Sequence, residues 1–247
     1  MLATWVPRLA PGVVAAAMHG VLRAGHAARA LAEAETAERR RELADGLAYW
    51  AGEYQALPAG PAGGATAPPS AAIARVTMIP PAERGTFDSL TGALFQLDAF
   101  PPFRGVLHAV DPGADVDGFL SDLTATFARV YLANARDMLT TIAFVHTVTG
   151  PAVLRPLLPH VDAGAARVAV AYAWQAAAGL YATFATAPPR AGAVDDEPPD
   201  AGELVERAVA TGDEHAIKFT VACLGEHAHR PDAAYLHAAS HAIRALA

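Results

Sequence analysis

The run from Ala163 to Ala187 constrains this chain more than any other stretch. It is long, rich in alanine, and broken only by one charge, Arg167, and one amide, Gln175. A strand is usually spent within about 5–6 residues, and alanine favours helix over strand. The helix begins near Asp162. The run is also the only membrane candidate in the chain, but alanine is weakly apolar and Arg167 is costly in a bilayer. A buried helix is the better reading. Such a helix must be covered on all sides, and its small side chains let neighbouring helices approach closely. The expectation is an all-α fold: one multi-helix domain over residues 1–247, about eight helices, Pro/Gly-rich loops and at most one short extended segment.

At 247 residues, the chain is long enough for one large domain or two small ones. Apolar residues make up 53% and charged residues 17%, which marks a globular chain and not a disordered one. The formal charge is −7 and no Lys/Arg cluster stands out, which argues against a nucleic-acid partner. Cys223 is the single cysteine, so an internal disulfide framework and a multi-cysteine zinc site are excluded. The opening residues Met1 to Arg8 lack a basic start followed by an apolar run, so no secretory signal is read there. A reduced, cytoplasmic protein with no membrane span is the expectation.

Pro11-Gly12 is read as opening a first helix that reaches about Glu35, with His19, Arg23 and His26 near one face. Thr36 caps a second, to about Gln55. Residues 57–70, rich in Pro, Ala and Gly, read as a linker or mobile loop. Ile73 to Ile79 is the one extended run, and a short helix is expected over Phe87 to Leu97. From Asp115 or Asp117, apolar residues recur at helical steps as far as Val148. Gly150-Pro151 then reads as a helix stop, one turn after His146. Residues 188–200 form an acidic, Pro-rich linker. Three helices follow: about Gly202–Ala210, Asp213–His229 and Asp232–Ala247.

Ten histidines in so apolar a chain are the oddest feature. In the helix after Asp213, the residues His215, Lys218, Ala222 and Glu226 share a stripe. That stripe is either a buried polar site or simply a solvated face. His237 and His241 have the four-residue spacing of metal pairs, but Ser240 and Arg244 share their stripe, so a solvated face is expected. Glu226 and His229 make one Glu-x-x-His, and a di-iron bundle needs a second, which is absent. There is no G-x-G-x-x-G fingerprint and no P-loop.

Taken in order, several short motifs resemble the questin oxidase-like family. They are Trp5-Val6-Pro7-Arg8 with Pro11-Gly12, His19-Gly20-Val21-Leu22-Arg23 with His26-Ala27, and Leu47-Ala48-Tyr49-Trp50. Further on come His146-Thr147-Val148-Thr149-Gly150-Pro151 and Asp213 to Lys218 with Glu226-His227. The resemblance spans nearly the whole chain. Family members are longer at the N-terminus, with an extra helical segment carrying an Asn-His motif, whereas this chain begins just before Trp5. Self-association into a homodimer is expected as a way to cover the face left open on the first helix.

The resemblance implies an oxidoreductase that oxygenates or opens a ring of an aromatic polyketide-like substrate in the Baeyer–Villiger sense. It implies O₂ as co-substrate, with non-haem iron in some members and NADPH in others. Imidazole suits iron, and the candidate ligands are His19, His26, His146, His215 and Lys218, with His227 ranked after them. A protonated lysine cannot ligate, so Lys218 would serve deprotonated or as a carbamate. Among these ligands, His26 is the one expected to stand back from the ion, because it lies two turns from His19. Arg23 and Lys218 are the candidate catalytic residues, Arg23 holding a phenolate or carboxylate of the substrate. A metal-free NADPH-dependent monooxygenase and a non-catalytic helical binding or assembly protein remain as alternatives.

Overall fold

A computed structural model describes residues 1–192, 197 and 199–247. Among these residues the fold is all-helical, with eleven α-helices and no strand. They are α1 Leu2–Leu9, α2 His19–Glu33, α3 Ala37–Gly52, α4 Pro69–Ala72, α5 Leu90–Leu94 and α6 Val116–Asn134. After these come α7 Met138–Ala152, α8 Ala163–Phe184, α9 Ala201–Thr211, α10 Glu214–His229 and α11 Ala233–Ala245. Short 3₁₀ turns fill several of the connections. No described helix is long and apolar enough to cross a membrane.

The Ala-rich run forms α8, capped by Asp162, and its residues from Ala173 to Thr183 are buried without a break. Two of its polar side chains are bonded inside the fold. Trp174 Nε1 donates to the Val106 carbonyl and Gln175 Nε2 to the Pro58 carbonyl. α7 lies between α8 and α10 and packs on both, and α6 runs beside α7 and α8. α10 pairs with α11, and α2 pairs with α3 while also touching α7. α7 is therefore the helix through which α2 and α10 are brought to one place.

Several boundaries differ from the sequence reading, each for a local reason. The expected helix from Asp115 to Val148 is two helices. Asn134 turns aside to accept the Thr186 and Ala187 N–H groups, and Asp137 then opens α7 with a capping box closed by Thr140. Gly150-Pro151 does not stop α7 before Pro151: the helix takes the proline into its last turn and ends one residue later, at Ala152. Ile73–Arg75 is a 3₁₀ turn, and the residues after it run on without a ladder partner, Ile79 N–H donating to the Ala182 carbonyl. The segment over 57–70 is a strap and not a free linker, because Gly60 and Ala67 donate to the Arg104 and Ala109 carbonyls. The acidic linker read over 188–200 lies partly outside the described residues.

The first helix departs most. Pro11-Gly12 end a 3₁₀ turn that follows an unexpected helix, α1, and the expected helix begins only at His19 as α2; the join carries three consecutive non-glycine residues with positive φ: Ala16 at 47°, Ala17 at 54° and Met18 at 68°. Each such residue costs about 1–2 kcal/mol. His19 is the first residue of α2, directly after this left-handed turn. The turn is held by Met18, which is fully buried against Gly150, where an added Cβ would lie 2.1 Å from the Met18 sulfur. One turn further on, a Cβ on Gly25 would lie 2.4 Å from the Val153 carbonyl oxygen. These two glycines let α2 close against the end of α7.

Candidate metal centre

Three of the candidate ligands meet where α2, α7 and α10 converge. One ring nitrogen each from His19, His146 and His215 lies within 4.8 Å of the others. His19 Nε2 and His146 Nε2 are 3.1 Å apart. The His215 ring centroid stands 5.6 Å from that of His146 and 6.2 Å from that of His19. Two imidazole nitrogens bound to one ion at about 2.0–2.1 Å stand roughly 3.0–3.4 Å apart for angles between octahedral and tetrahedral. The His19–His146 pair is at that separation, and His215 brings a ring nitrogen within 4.8 Å of both.

Hydrogen bonding fixes the state of the central ring. His146 is buried, and its Nδ1 is 2.6 Å from the Ile142 carbonyl oxygen. A carbonyl only accepts, so Nδ1 carries the proton and the Nε2 lone pair faces His19. This is how metal-bound histidines are commonly oriented from behind. Burial, with the neighbouring His19, His215 and Lys218, pushes the His146 pKa down to about 3. The His19 pKa is lowered too, chiefly by burial and by Lys218. Both rings are neutral at pH 7 and keep their lone pairs. Without a cation, His19 Nε2–H donates to the bare His146 Nε2. Binding an ion requires only that His19 move its proton to Nδ1. Asp213, the N-cap of α10, places Oδ1 3.6 Å from His215 Nδ1, just beyond hydrogen-bond length.

The other candidates go elsewhere. His26 lies two turns along α2, outside the group of three. Lys218 does not join the nitrogens either, since its Nζ donates to Glu214 Oε2 at 3.0 Å in an ion pair along α10. Arg23 is half-exposed and faces α3, where Nε and Nη2 donate to the Glu42 carboxylate at 2.7 and 3.1 Å. It holds two helices together and does not reach the three histidines. His227 Nδ1 accepts the Asp232 N–H and ties the end of α10 to α11.

The expectation of a solvated stripe on α11 is corrected. His237 and His241 are only partly exposed and Ser240 is buried. His241 Nδ1 is 2.9 Å from the Tyr131 hydroxyl, which anchors α11 to α6. The polar stripe of α10 is likewise not a solvated face: Glu226 is buried and His215 and Lys218 are partly so. Sequence reasoning missed Ile142, whose contribution is a backbone carbonyl and leaves no residue signature. It also missed the left-handed turn before His19, because no glycine marks it.

No family model matches the chain, and no curated protein or solved structure matches it either.

Proposed function

We propose that this chain is a metal-dependent oxygenase of the questin oxidase-like kind. In this reading His19, His146 and His215 hold one transition-metal ion, iron, beside which an aromatic polyketide-like ring is oxygenated or opened with O₂. What supports the metal half is the apposition of two ring nitrogens, one with its lone pair aimed inward by the Ile142 carbonyl. What supports the oxygenase half is the sequence resemblance. Iron would supply the one-electron chemistry that O₂ needs. Inserting one oxygen atom consumes two electrons, the other atom leaving as water, and NADPH is the electron source that the resemblance implies. The chain's own part is to present three imidazoles from three helices, two of which, His19 and His146, burial keeps neutral, so that no proton has to be displaced from those rings before binding.

One observation favours a second metal reading. The group contains three imidazoles and no carboxylate, a donor set that also suits a catalytic zinc with an open fourth position. Anaerobic reconstitution followed by assay in air-saturated buffer separates the two. With Fe(II), a polyhydroxylated anthraquinone and NADPH, the oxygenase reading expects O₂ uptake that His146→Ala abolishes. Ester hydrolysis with Zn(II) and no O₂ uptake would support the zinc reading. NADPH oxidation that survives chelation would instead favour the metal-free monooxygenase, and inactivity of every loaded form a binding protein.

Self-association belongs to the same proposal. Met1, just before α1, and Trp5 on it are 61% and 41% exposed, an apolar edge that a second copy would cover. Light scattering at micromolar concentration should give twice the chain mass, and a monomer there counts against it.

A further inference from the structure

A cavity of about 210 Å³, open to solvent, lies one helical turn beyond the three histidines. The same three helices wall it. Leu22 and His26 follow His19 on α2, Thr149 follows His146 on α7, and Lys218 and Ala222 follow His215 on α10. Apolar surface predominates, and the charges are unequal. Arg155 in this wall is neutralised by Glu226, to which it is bonded. That leaves Arg29 and Lys218 as cations. Lys218 is shared with Glu214, which is largely exposed and does not line the cavity. An ammonium has three donors, and Glu214 takes one.

His26 adds a donor that the protein does not use. Arg29 Nη2 is 3.4 Å from His26 Nδ1, and a guanidinium only donates, so Nδ1 accepts and the proton sits on Nε2. That Nε2–H is buried with no acceptor in the protein. A buried donor left unpaired costs about 1–3 kcal/mol, which a ligand oxygen would recover once the His26 ring turns its Nε2 toward the cavity that it lines.

We propose that this cavity binds a small carboxylate with an apolar body, its charged oxygens toward Lys218, Arg29 and His26 and its carbon frame against Leu22, Val153 and Val221. A cavity of about 150 Å³ admits benzene, so this one takes a ring with a few substituents, and a larger ligand would extend through the mouth. The site stands on its own residues and does not require the ion.

The test is calorimetric titration with 2-naphthoate and with neutral 2-naphthalenemethanol, on protein treated with chelator and on protein loaded with Fe(II). The carboxylate should bind at least tenfold tighter than the alcohol, in both preparations. Lys218→Met should weaken the carboxylate about tenfold and leave the alcohol nearly unchanged. Gly225→Leu fills the cavity from α10 at a place where an added Cβ meets no atom within 4 Å, so folding should survive, as circular dichroism would verify. That variant should lose both ligands. Equal affinity for acid and alcohol, no binding of the acid at millimolar concentration, or undiminished binding to a folded Gly225→Leu would overturn the proposal. Because chelated protein is included, a failed metal centre and a failed carboxylate site give different results.

Discussion

α10 carries a polar cluster toward each end, about three turns apart, and they are built on opposite plans. At its C-terminal end Glu226 has both oxygens filled: Arg155 donates to Oε1 at 2.6 Å and to Oε2 at 2.7 Å, and Thr124 donates to Oε2 at 2.8 Å. The Tyr235 hydroxyl lies 2.7 Å from Thr124 and completes the chain, and Arg155 also bonds Ser121 and Asp117. Every charge there has its partner within the protein. At the N-terminal end, three imidazoles from three helices face one another, and two nitrogens meet at 3.1 Å with no countercharge between them. The first cluster is complete as it stands and fastens α6, α10 and α11. The second is closed within the protein only by the His19–His146 hydrogen bond, and it takes a cation once His19 moves its proton to Nδ1. A buried polar cluster is thus read by what its donors and acceptors still lack, and not by its burial.

The contrast can be broken most forcefully at Glu226. Glu226→Gln keeps the shape but leaves Arg155 with only the exposed Asp117 as countercharge, so chemical denaturation should show a loss of up to about 3–5 kcal/mol. A loss below about 1 kcal/mol would mean that the cluster is not structural. Gly150→Ala acts next, by forcing Met18 out of its place against α7. Overpacking of this kind costs about 1–3 kcal/mol, and because His19 follows Met18, metal affinity should fall with it. An unchanged melting temperature would show that Met18 has room to move.

Acid sharpens the difference. His146 titrates at about 3 in the fold against an ordinary 6.5. Between those values the unfolded chain binds a proton that the folded chain does not, so stability is full above pH 6.5 and declines as pH falls toward 3. The slope from this group is at most about 1.4 kcal/mol per pH unit. The groups facing it are His19, His215 and Lys218, with Glu214 behind Lys218. In chelated protein, His146→Gln should remove about one proton from the unfolding uptake at pH 5, measured as the pH dependence of the denaturation midpoint. The smallest effect is expected at the left-handed turn. Ala17→Gly exchanges a strained φ of 54° for a permissive residue and should stabilise the fold by roughly 0.5–1 kcal/mol, net of glycine's chain entropy. Destabilisation there would mean that the Ala17 methyl contributes more through packing than its backbone costs.

The helical class was readable because the Ala163–Ala187 run leaves little choice, and the caps at Thr36 and Asp213 are written in side chains that do the capping. The break at Ala135 was not, since apolar periodicity continues across it and the cause is Asn134 bonding to a segment some fifty residues away. His215 and His146 were readable as candidates from their apolar settings. That Arg23 pairs with Glu42 and Lys218 with Glu214 was not, because a helical wheel shows which side a residue takes and not which neighbour claims it. The same holds for His241, whose solvated appearance in sequence hides a bond to Tyr131.

The central claim is that His19, His146 and His215 form one cation site. Elemental analysis of protein dialysed against a mixture of Fe(II), Zn(II), Ni(II) and Cu(II) salts tests it directly, alongside His146→Ala, His215→Ala and, as a control away from the centre, His229→Ala. The account predicts about one transition-metal ion per chain in the unmodified protein and in His229→Ala. It predicts a loss of at least tenfold in each of the other two, with their helical spectra retained. Metal content that is unaffected by both His146→Ala and His215→Ala, or that is lost in His229→Ala alone, would contradict it.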